Sequence, residues 1–233
     1  MPTKMGNRIL IVDDEADLRE IIAFDLNLQG FETLEAENGR VAFEICQKTH
    51  VDLIISDLRM PGGDGMQMLR DVKRINPERP PVLLVTGFSD VAAVEAYASG
   101  ASALLAKPFE RAEILRAVKR NLLPLRDRFG TYPPTPLPAI SLAFDAVDFE
   151  SLKKGAGGFL VPGDSPGLRA GDCVDFQVNF SSGELSSFRG SGCIRFVTES
   201  GTGVEIDTLE SAGLEKYLKW LEANRPVSFI PTI

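Results

Sequence analysis

The chain has 233 residues, 44% of them hydrophobic, and a net charge of −8, which suits a soluble globular protein of one large or two small domains. Residues 1–120 carry 15 basic and 19 acidic side chains and residues 140–233 carry eight and 13, so neither part has the basic footprint of a nucleic-acid binder. No apolar run approaches the ~18 residues of a membrane span, and MPTKMGNRILIVDDE, whose short apolar run ends in acids, lacks secretion-signal architecture, so a cytoplasmic protein is expected.

In chain order, strands are expected at 8–12, 31–36, 52–56, 82–86 and 103–106, alternating with helices at 17–28, 39–48, 65–75, 90–99 and 111–123. Leu18, Ile21, Ile22 and Leu26 recur at helical spacing in the first helix. LIIS and LLVT are apolar throughout, as strands covered by helices on both faces must be. Five such βα units predict a doubly wound α/β sheet over residues 1–123, and ligands of such sheets bind beyond the carboxyl ends of the strands.

Five prolines then fall between 124 and 138 in LPLRDRFGTYPPTPLP. Proline lacks an amide donor and fixes φ, so residues 124–139 are expected to form a semi-rigid extended linker. Beyond it the period shifts towards two, with strands expected at 140–149, 158–161, 173–180, 184–189, 192–198 and 203–207. In DCVDFQVNF, Cys173, Asp175, Gln177 and Asn179 alternate with Val174, Phe176, Val178 and Phe180, one face wet and one buried. Leu209, Leu214, Tyr217, Leu218, Trp220 and Leu221 form the apolar stripe of a closing helix. Residues 140–233 are therefore expected to form a small, closed or nearly closed antiparallel β-barrel with a C-terminal helix. Cys46, Cys173 and Cys193 form no CxxC pair and stand beside a single histidine, His50, which excludes a His/Cys metal site. Scattered thiols fit a reducing compartment, each expected as a small buried hydrophobe.

The chemistry-bearing residues sit at strand ends. Asp13 and Asp14 follow ILIV, Asp57 follows LIIS, Thr86 ends VLLVT and Lys107 follows ALLA. Carboxylates gathered in one cleft repel each other and need a compensating cation. Oxygen ligands alone favour a hard ion such as Mg²⁺, and Lys107 supplies a second positive charge. Phosphoryl transfer onto a carboxylate requires these parts: a nucleophile, a metal, a lysine for the equatorial oxygens and a hydroxyl to sense them. Singly, an Asp-Asp pair after a strand often only caps the next helix, and Asp57 before Leu-Arg-Met-Pro-Gly would open a turn. All of these positions in this order are not explained by caps and turns.

ILIVDDE, SDLRMPGGDG, VTGFSD and GASALLAKPF together resemble the signature of response-regulator receiver domains, from residue 8 to about 122. The resemblance implies a flavodoxin-like five-stranded parallel sheet, with Asp57 as acceptor of a phosphoryl group from a sensor histidine kinase. It implies Mg²⁺ held by Asp14 directly, by Asp13 mostly through water, by Asp57 and by the backbone carbonyl of Arg59. Lys107 would pair with the acyl phosphate ahead of a cis bond to Pro108, and Thr86 would be the switch hydroxyl. Receivers of this kind often pair as homodimers through their fourth and fifth helices. The chain departs from the family at Leu104, where an aromatic residue usually reports phosphorylation, so a smaller piston or helix and loop shifts would carry the signal. Phe88 is expected to shield the phosphoryl group from water.

Residues 140–222 resemble a PilZ domain on GGFLVP, LRAGDCVDFQVNF, GSGCIRFVTESGTGVEIDTLE and the closing helix. That family often binds cyclic di-GMP through an RxxxR arm and an Asp/Asn-x-Ser-x-x-Gly element. Here Arg126 and Arg128 are spaced by two, and the second element aligns with residues 153–158, which keep only final glycines. Residues 179–183 read as a hairpin turn. Losing bidentate arginines disfavours nucleotide binding, so no cyclic di-GMP residue is assigned and the expected output is contact with a protein. Phe159, Phe188 and Phe196 either fill the core or line that docking face. An Asp-nucleophile phosphatase of the haloacid-dehalogenase type is the rival enzyme reading. It wants a DxDx(T/V) pair on the first strand, which Asp13-Asp14 does not provide, so no turnover beyond slow self-dephosphorylation is expected.

Overall fold

Short β-branched and leucine-rich runs alternate with amphipathic segments through the first half, and a helix-covered parallel sheet is how such runs hide both of their faces. The computed structural model describes residues 6–61, 64–87, 90–129, 140–147, 152–163, 165, 167–180, 187–224 and 228–231. Its contacts divide the chain into two units, Met1–Ser89 with Ser99–Leu122, and Asp90–Ala98 with Leu123–Ile233.

The first unit contains β1 (Arg8–Val12), α1 (Ala16–Leu28), β2 (Glu32–Ala36), α2 (Gly39–Lys48), β3 (Leu53–Asp57), α3 (Gly65–Ile75) and β4 (Val82–Thr86). The helix α4 (Asp90–Ala98) groups with the second unit, and β5 (Ala103–Ala106) and α5 (Arg111–Leu122) complete the first. The sheet order is β2-β1-β3-β4-β5, parallel throughout. Ile9, Ile11, Leu53, Ile55, Leu83 and Val85 pack with Ile22 and Leu26 of α1 and Ile114 and Val118 of α5. The alternate residues Leu10, Ile54 and Leu84 are also fully buried, as a period of two requires of a sheet covered on both faces. Helix starts follow local capping chemistry: Asn38 accepts from Val41 N at 3.0 Å and Asp64 from Met66 N at 2.8 Å.

The second unit adds α6 (Leu125–Arg128), β6 (Ile140–Val147), β7 (Lys153–Lys154), β8 (Gly158–Pro162), β9 (Cys173–Phe180), β10 (Ser187–Thr198), β11 (Gly201–Leu209) and α7 (Ser211–Ala223). Its sheet runs β6-β9-β10-β11-β8-β7. The expectation of purely antiparallel strands is corrected here, because β6 pairs with β9 in parallel. Parallel neighbours need a long connection, and β7 and β8 lie between them in the chain. Among the described residues no ladder joins β6 to β7, so the hydrogen-bonded sheet is a six-stranded mixed one with two edges.

Two further expectations change. The strands expected at 184–189 and 192–198 are one strand, β10, with β-bulges after Ser191 and Ile194. Gly190 falls in the expected break and Gly192 at the start of the next expected strand, but each serves a close backbone approach. A Cβ would lie 2.1 Å from Thr208 O at Gly190 and 2.0 Å from Glu205 O at Gly192. The linker does not begin as extended chain either. Pro124 stands at the N-cap of α6, where its fixed φ is compatible with a helix start. Phe129 just beyond is buried edge-on against Tyr217 at 5.8 Å. The proline-rich residues 130–139 lie outside the described residues, as do Phe88 and residues 181–186, on which most of the turn expected at 179–183 falls.

Phe159 and Phe188 belong to the core with Val174, Phe176, Val178, Ile194, Val204, Ile206 and Tyr217. Phe196 packs elsewhere in this unit, against Tyr97 of α4 at 6.2 Å between ring centroids. Phe188 meets Phe159, Phe176, Phe180 and Tyr217 at 5.8, 5.8, 5.5 and 6.5 Å. Phe188→Ala is expected to destabilise this unit by about 3–5 kcal/mol, the usual effect of emptying an aromatic core position. The single tryptophan, Trp220, packs against that core, so its fluorescence in a urea titration measures the loss.

Candidate functional site

The parallel sheet aligns strand ends. Val12 pairs with Ser56, Asp57 with Val85 and Thr86 with Ala106, so the residues that follow β1, β3, β4 and β5 emerge in one row. Asp13, Asp57 and Thr86 are buried polar residues there, while Asp14 is exposed. The Lys107 ammonium lies between two carboxylates, 3.2 Å from Asp57 Oδ1 and 3.3 Å from Asp13 Oδ2. Its backbone N–H donates to Thr86 O at 2.7 Å, and the bond from Lys107 to Pro108 is cis.

Each side chain is held by its neighbours. Asp13 Oδ1 accepts from Glu15 N at 2.9 Å, the local turn that an Asp before a helix makes. Arg19 donates to Asp13 O at 2.6 Å. The Asp57 backbone is fixed from below by Ser56, whose buried hydroxyl donates to Asp57 O at 2.9 Å. Leu58 N donates to Val85 O at 2.8 Å, and Gly65 N to Leu58 O at 3.1 Å.

Burial raises the Asp57 pKa above the usual carboxylate value and Asp13 adds to that, while Lys107 opposes both. For Lys107, burial alone would favour the neutral amine, but Asp13 and Asp57 together outweigh it and hold the ammonium. The site thus carries two carboxylates against one lysine. A nucleophilic Asp57 must be ionised, so phosphoryl acceptance is expected to fall on acidification from a pH above the ordinary aspartate pKa of about 3.9. Initial labelling rates with acetyl phosphate between neutral and acid pH, with the phosphodonor's own stability controlled, measure that midpoint.

The oxygen-only donors Asp13, Asp14, Asp57 and the Arg59 carbonyl suit a hard cation in chemistry. In the present geometry the structure brings Asp13 and Asp57 together through Lys107, and no group of three acidic side chains is gathered around one point among the described residues. Leu104 is half-buried on β5 opposite Leu84. Sequence reasoning missed Gly65 and Ser56. A Cβ on Gly65 would lie 2.1 Å from Asp57 O and 2.9 Å from Ser56 Oγ, so α3 starts in direct contact with the Asp57 backbone. The signal was present in the glycine that follows the capping Asp64.

The Lys153-Lys154-Gly-Ala-Gly-Gly stretch forms β7 and the turn into β8. Its amides are used internally: Ala156 N donates to Ser228 O and Gly157 N to Phe229 O, both at 2.7 Å. Lys154 is buried with its ammonium 4.6 Å from the Trp220 ring, and Arg128 is buried 5.5 Å from the Phe229 ring. No helix among the described residues is long and apolar enough to cross a membrane.

Comparison with known proteins agrees with the cleft. The family model for the response regulator receiver domain matches residues 9–119. Sporulation initiation phosphotransferase F of Bacillus subtilis is 37% identical over 119 residues, covering 51% of this chain and 95% of that protein. Regulatory protein AtoC of Escherichia coli is 43% identical over 117 residues, but the chain spans only 25% of its length. The chemotaxis response regulator CheY4 of Vibrio cholerae is similar in structure, with 31% identity and a TM-score of 0.47 over 50% of this chain and 98% of that one. All three likenesses cover about half of this chain. With the strand-end acids and lysine in place and a relative of this identity matched over nearly its whole length, the chain belongs to the response-regulator family and carries its receiver domain at residues 9–119.

Proposed function

We propose that this chain is a phosphorylation-gated signalling protein in which Asp57 accepts a phosphoryl group from the phosphohistidine of a sensor kinase, and that the second unit delivers the signal by contacting another protein. The observation that carries the reading is the Lys107 ammonium held between Asp57 and Asp13 at 3.2 and 3.3 Å. An Asp57 oxygen attacks phosphorus, the O–P bond forms, the N–P bond of the donor breaks, and the departing imidazole regains a proton. Lys107 is placed to pair with the new phosphoryl oxygens, and Thr86 ends the adjacent strand. Asp13, Asp14, Asp57 and the Arg59 carbonyl would hold Mg²⁺, which supplies charge neutralisation for the incoming phosphoryl group. Intact-mass analysis with acetyl phosphate and Mg²⁺ tests the reading, and no adduct from that donor or from a phosphorylated kinase would overturn it.

The kinase contact has a candidate surface. Ile21, Phe24 and Leu28 are 45%, 61% and 67% exposed and form one stripe along α1. Ile21 also lines a small cleft with Phe109 and Arg111, just past Lys107 in sequence. Large exposed apolar residues in one row mark a docking face. Phe24→Ala is expected to slow phosphotransfer from the cognate kinase roughly tenfold, the loss of one apolar anchor, and to leave labelling by acetyl phosphate unchanged. Equal rates from the kinase for both proteins would exclude this face.

The PilZ-like reading of residues 140–233 keeps the closing helix and the GVEI strand, but nothing favours cyclic di-GMP as its ligand. Arg128 and Lys154 are packed on aromatic rings, and the amides of Ala156 and Gly157 bond to Ser228 and Phe229. Protein contact is therefore the output we favour. Saturable micromolar binding of the dinucleotide in a calorimetric titration would replace it.

A further inference from the structure

Two of the three free cysteines are brought face to face by the second sheet. The antiparallel register of β9 and β10 places Cys173 directly opposite Cys193. Ile194 N donates to Asp172 O at 2.9 Å, which brackets the two cysteines as a non-hydrogen-bonded pair. Cα atoms of such pairs lie about 4.5 Å apart, just inside the roughly 4.4–6.8 Å range that a disulfide spans. The two Sγ atoms are 3.9 Å apart, and both residues are half-buried rather than enclosed. Closing the bond takes rotation of two short side chains, with no change of register.

We propose that Cys173 and Cys193 are a redox modification site that a peroxide converts into a reversible intrachain disulfide. The roles of the two sulfurs differ. Cys193 donates towards Asp207 Oδ2 at 3.8 Å, and burial, with Asp207 nearby, pushes its thiol up to about 12 against the opposing pull of Arg195. The Asp207 contact engages the Cys193 thiol proton, so Cys173 is assigned as the sulfur that meets the oxidant. The Cys173 sulfur attacks a peroxide oxygen; the O–O bond breaks, the thiol proton goes to the departing hydroxide, and the products are the sulfenic acid and water. Cys193 sulfur then attacks Cys173 sulfur, and its proton passes by way of Asp207 to the departing hydroxide, which leaves as a second water. Two thiols are oxidised and the peroxide is reduced to two waters. A dithiol reductant reverses the bond, and a pair at the short end of the Cα range is of the more readily reduced kind. In a reducing compartment such a bond is transient and sensory rather than structural. Cys46, half-buried on α2 with its thiol raised to about 11 by burial, has no such partner shown and serves as an internal reference.

The full-length chain is treated with hydrogen peroxide, its remaining thiols are alkylated without reduction, and its peptides are mapped. The expected result is loss of two of three alkylatable thiols, a linked peptide joining Cys173 to Cys193, and full recovery of three thiols with dithiothreitol. Cys173→Ser is expected to leave Cys193 alkylatable after the same treatment. Three thiols still alkylatable, a bond that uses Cys46 or joins two chains, or oxidation of Cys173 that dithiothreitol does not reverse would each overturn the proposal. The wild-type map decides the outcome even if the variant does not fold.

Discussion

Wild-type chain incubated with Mg²⁺ and acetyl phosphate is expected to gain one adduct of about 80 Da, and Asp57→Asn none. The amide has the same shape and keeps the backbone contacts of Asp57, but it offers no anionic oxygen to phosphorus. The loss is thus complete rather than graded. Asp13 is no substitute, because the residue is 3% exposed and its carboxylate is committed to Glu15 N and Lys107. The same substitution is expected to raise the thermal midpoint at neutral pH. The folded pKa of Asp57 lies above the unfolded one, so its ionisation is a penalty on the folded state. That penalty is absent below the unfolded pKa, where both states are protonated, and fully present above the folded one. Asparagine removes it at every pH. A variant that loses both the adduct and its thermal stability would show instead that Asp57 matters for folding, and calorimetry with mass analysis separates the two.

Gly65→Ala is the second large effect. A methyl group there would lie 2.1 Å from Asp57 O and 3.1 Å from Asp57 C. Both are backbone atoms, so no side-chain rotation can relieve the clash, and either α3 or the end of β3 must move. Overpacking of this kind costs about 1–3 kcal/mol. Reaction geometry is less forgiving than stability, and a displacement of about 1 Å can slow a positioned reaction roughly 10²-fold. Labelling by acetyl phosphate is therefore expected to slow by that order while the chain remains folded. Gln67→Ala, on the exposed side of the same helix, is expected to label at the wild-type rate. Equal rates for Gly65→Ala and wild type would mean that the contact yields without disturbing Asp57.

Much of the first unit was legible in the sequence because its signals are local and repeated. The strands at 8–12, 82–86 and 103–106 and the helices at 39–48 and 65–75 were read to the residue. Apolar strands need helices on both faces, and one fold satisfies five such strands in this spacing. The strand-end positions of Asp13, Asp57, Thr86 and Lys107 followed from the same periodicity. The second unit was read less well, since glycine signals a turn in local terms. Gly190 and Gly192 instead make room for the carbonyls of Thr208 and Glu205 on a neighbouring strand, which local pattern does not contain. Pro124 was read as the start of extended chain, but packing of Phe129 on Tyr217 favours a helical turn before it.

The sequence by itself determined the order of elements in the first unit, the apolar patterning of the strands, and the set of residues available for phosphoryl chemistry. These depend on side-chain period and on residue type at strand ends, both written along the chain. Only the tertiary structure decided that Lys107 sits between Asp13 and Asp57, that Gly65 touches the Asp57 backbone, that β6 joins β9 in parallel and that Cys173 faces Cys193. Each of these is a contact between residues distant in sequence. Such contacts are set by strand order and register, which emerge when many weak burial terms are satisfied at once.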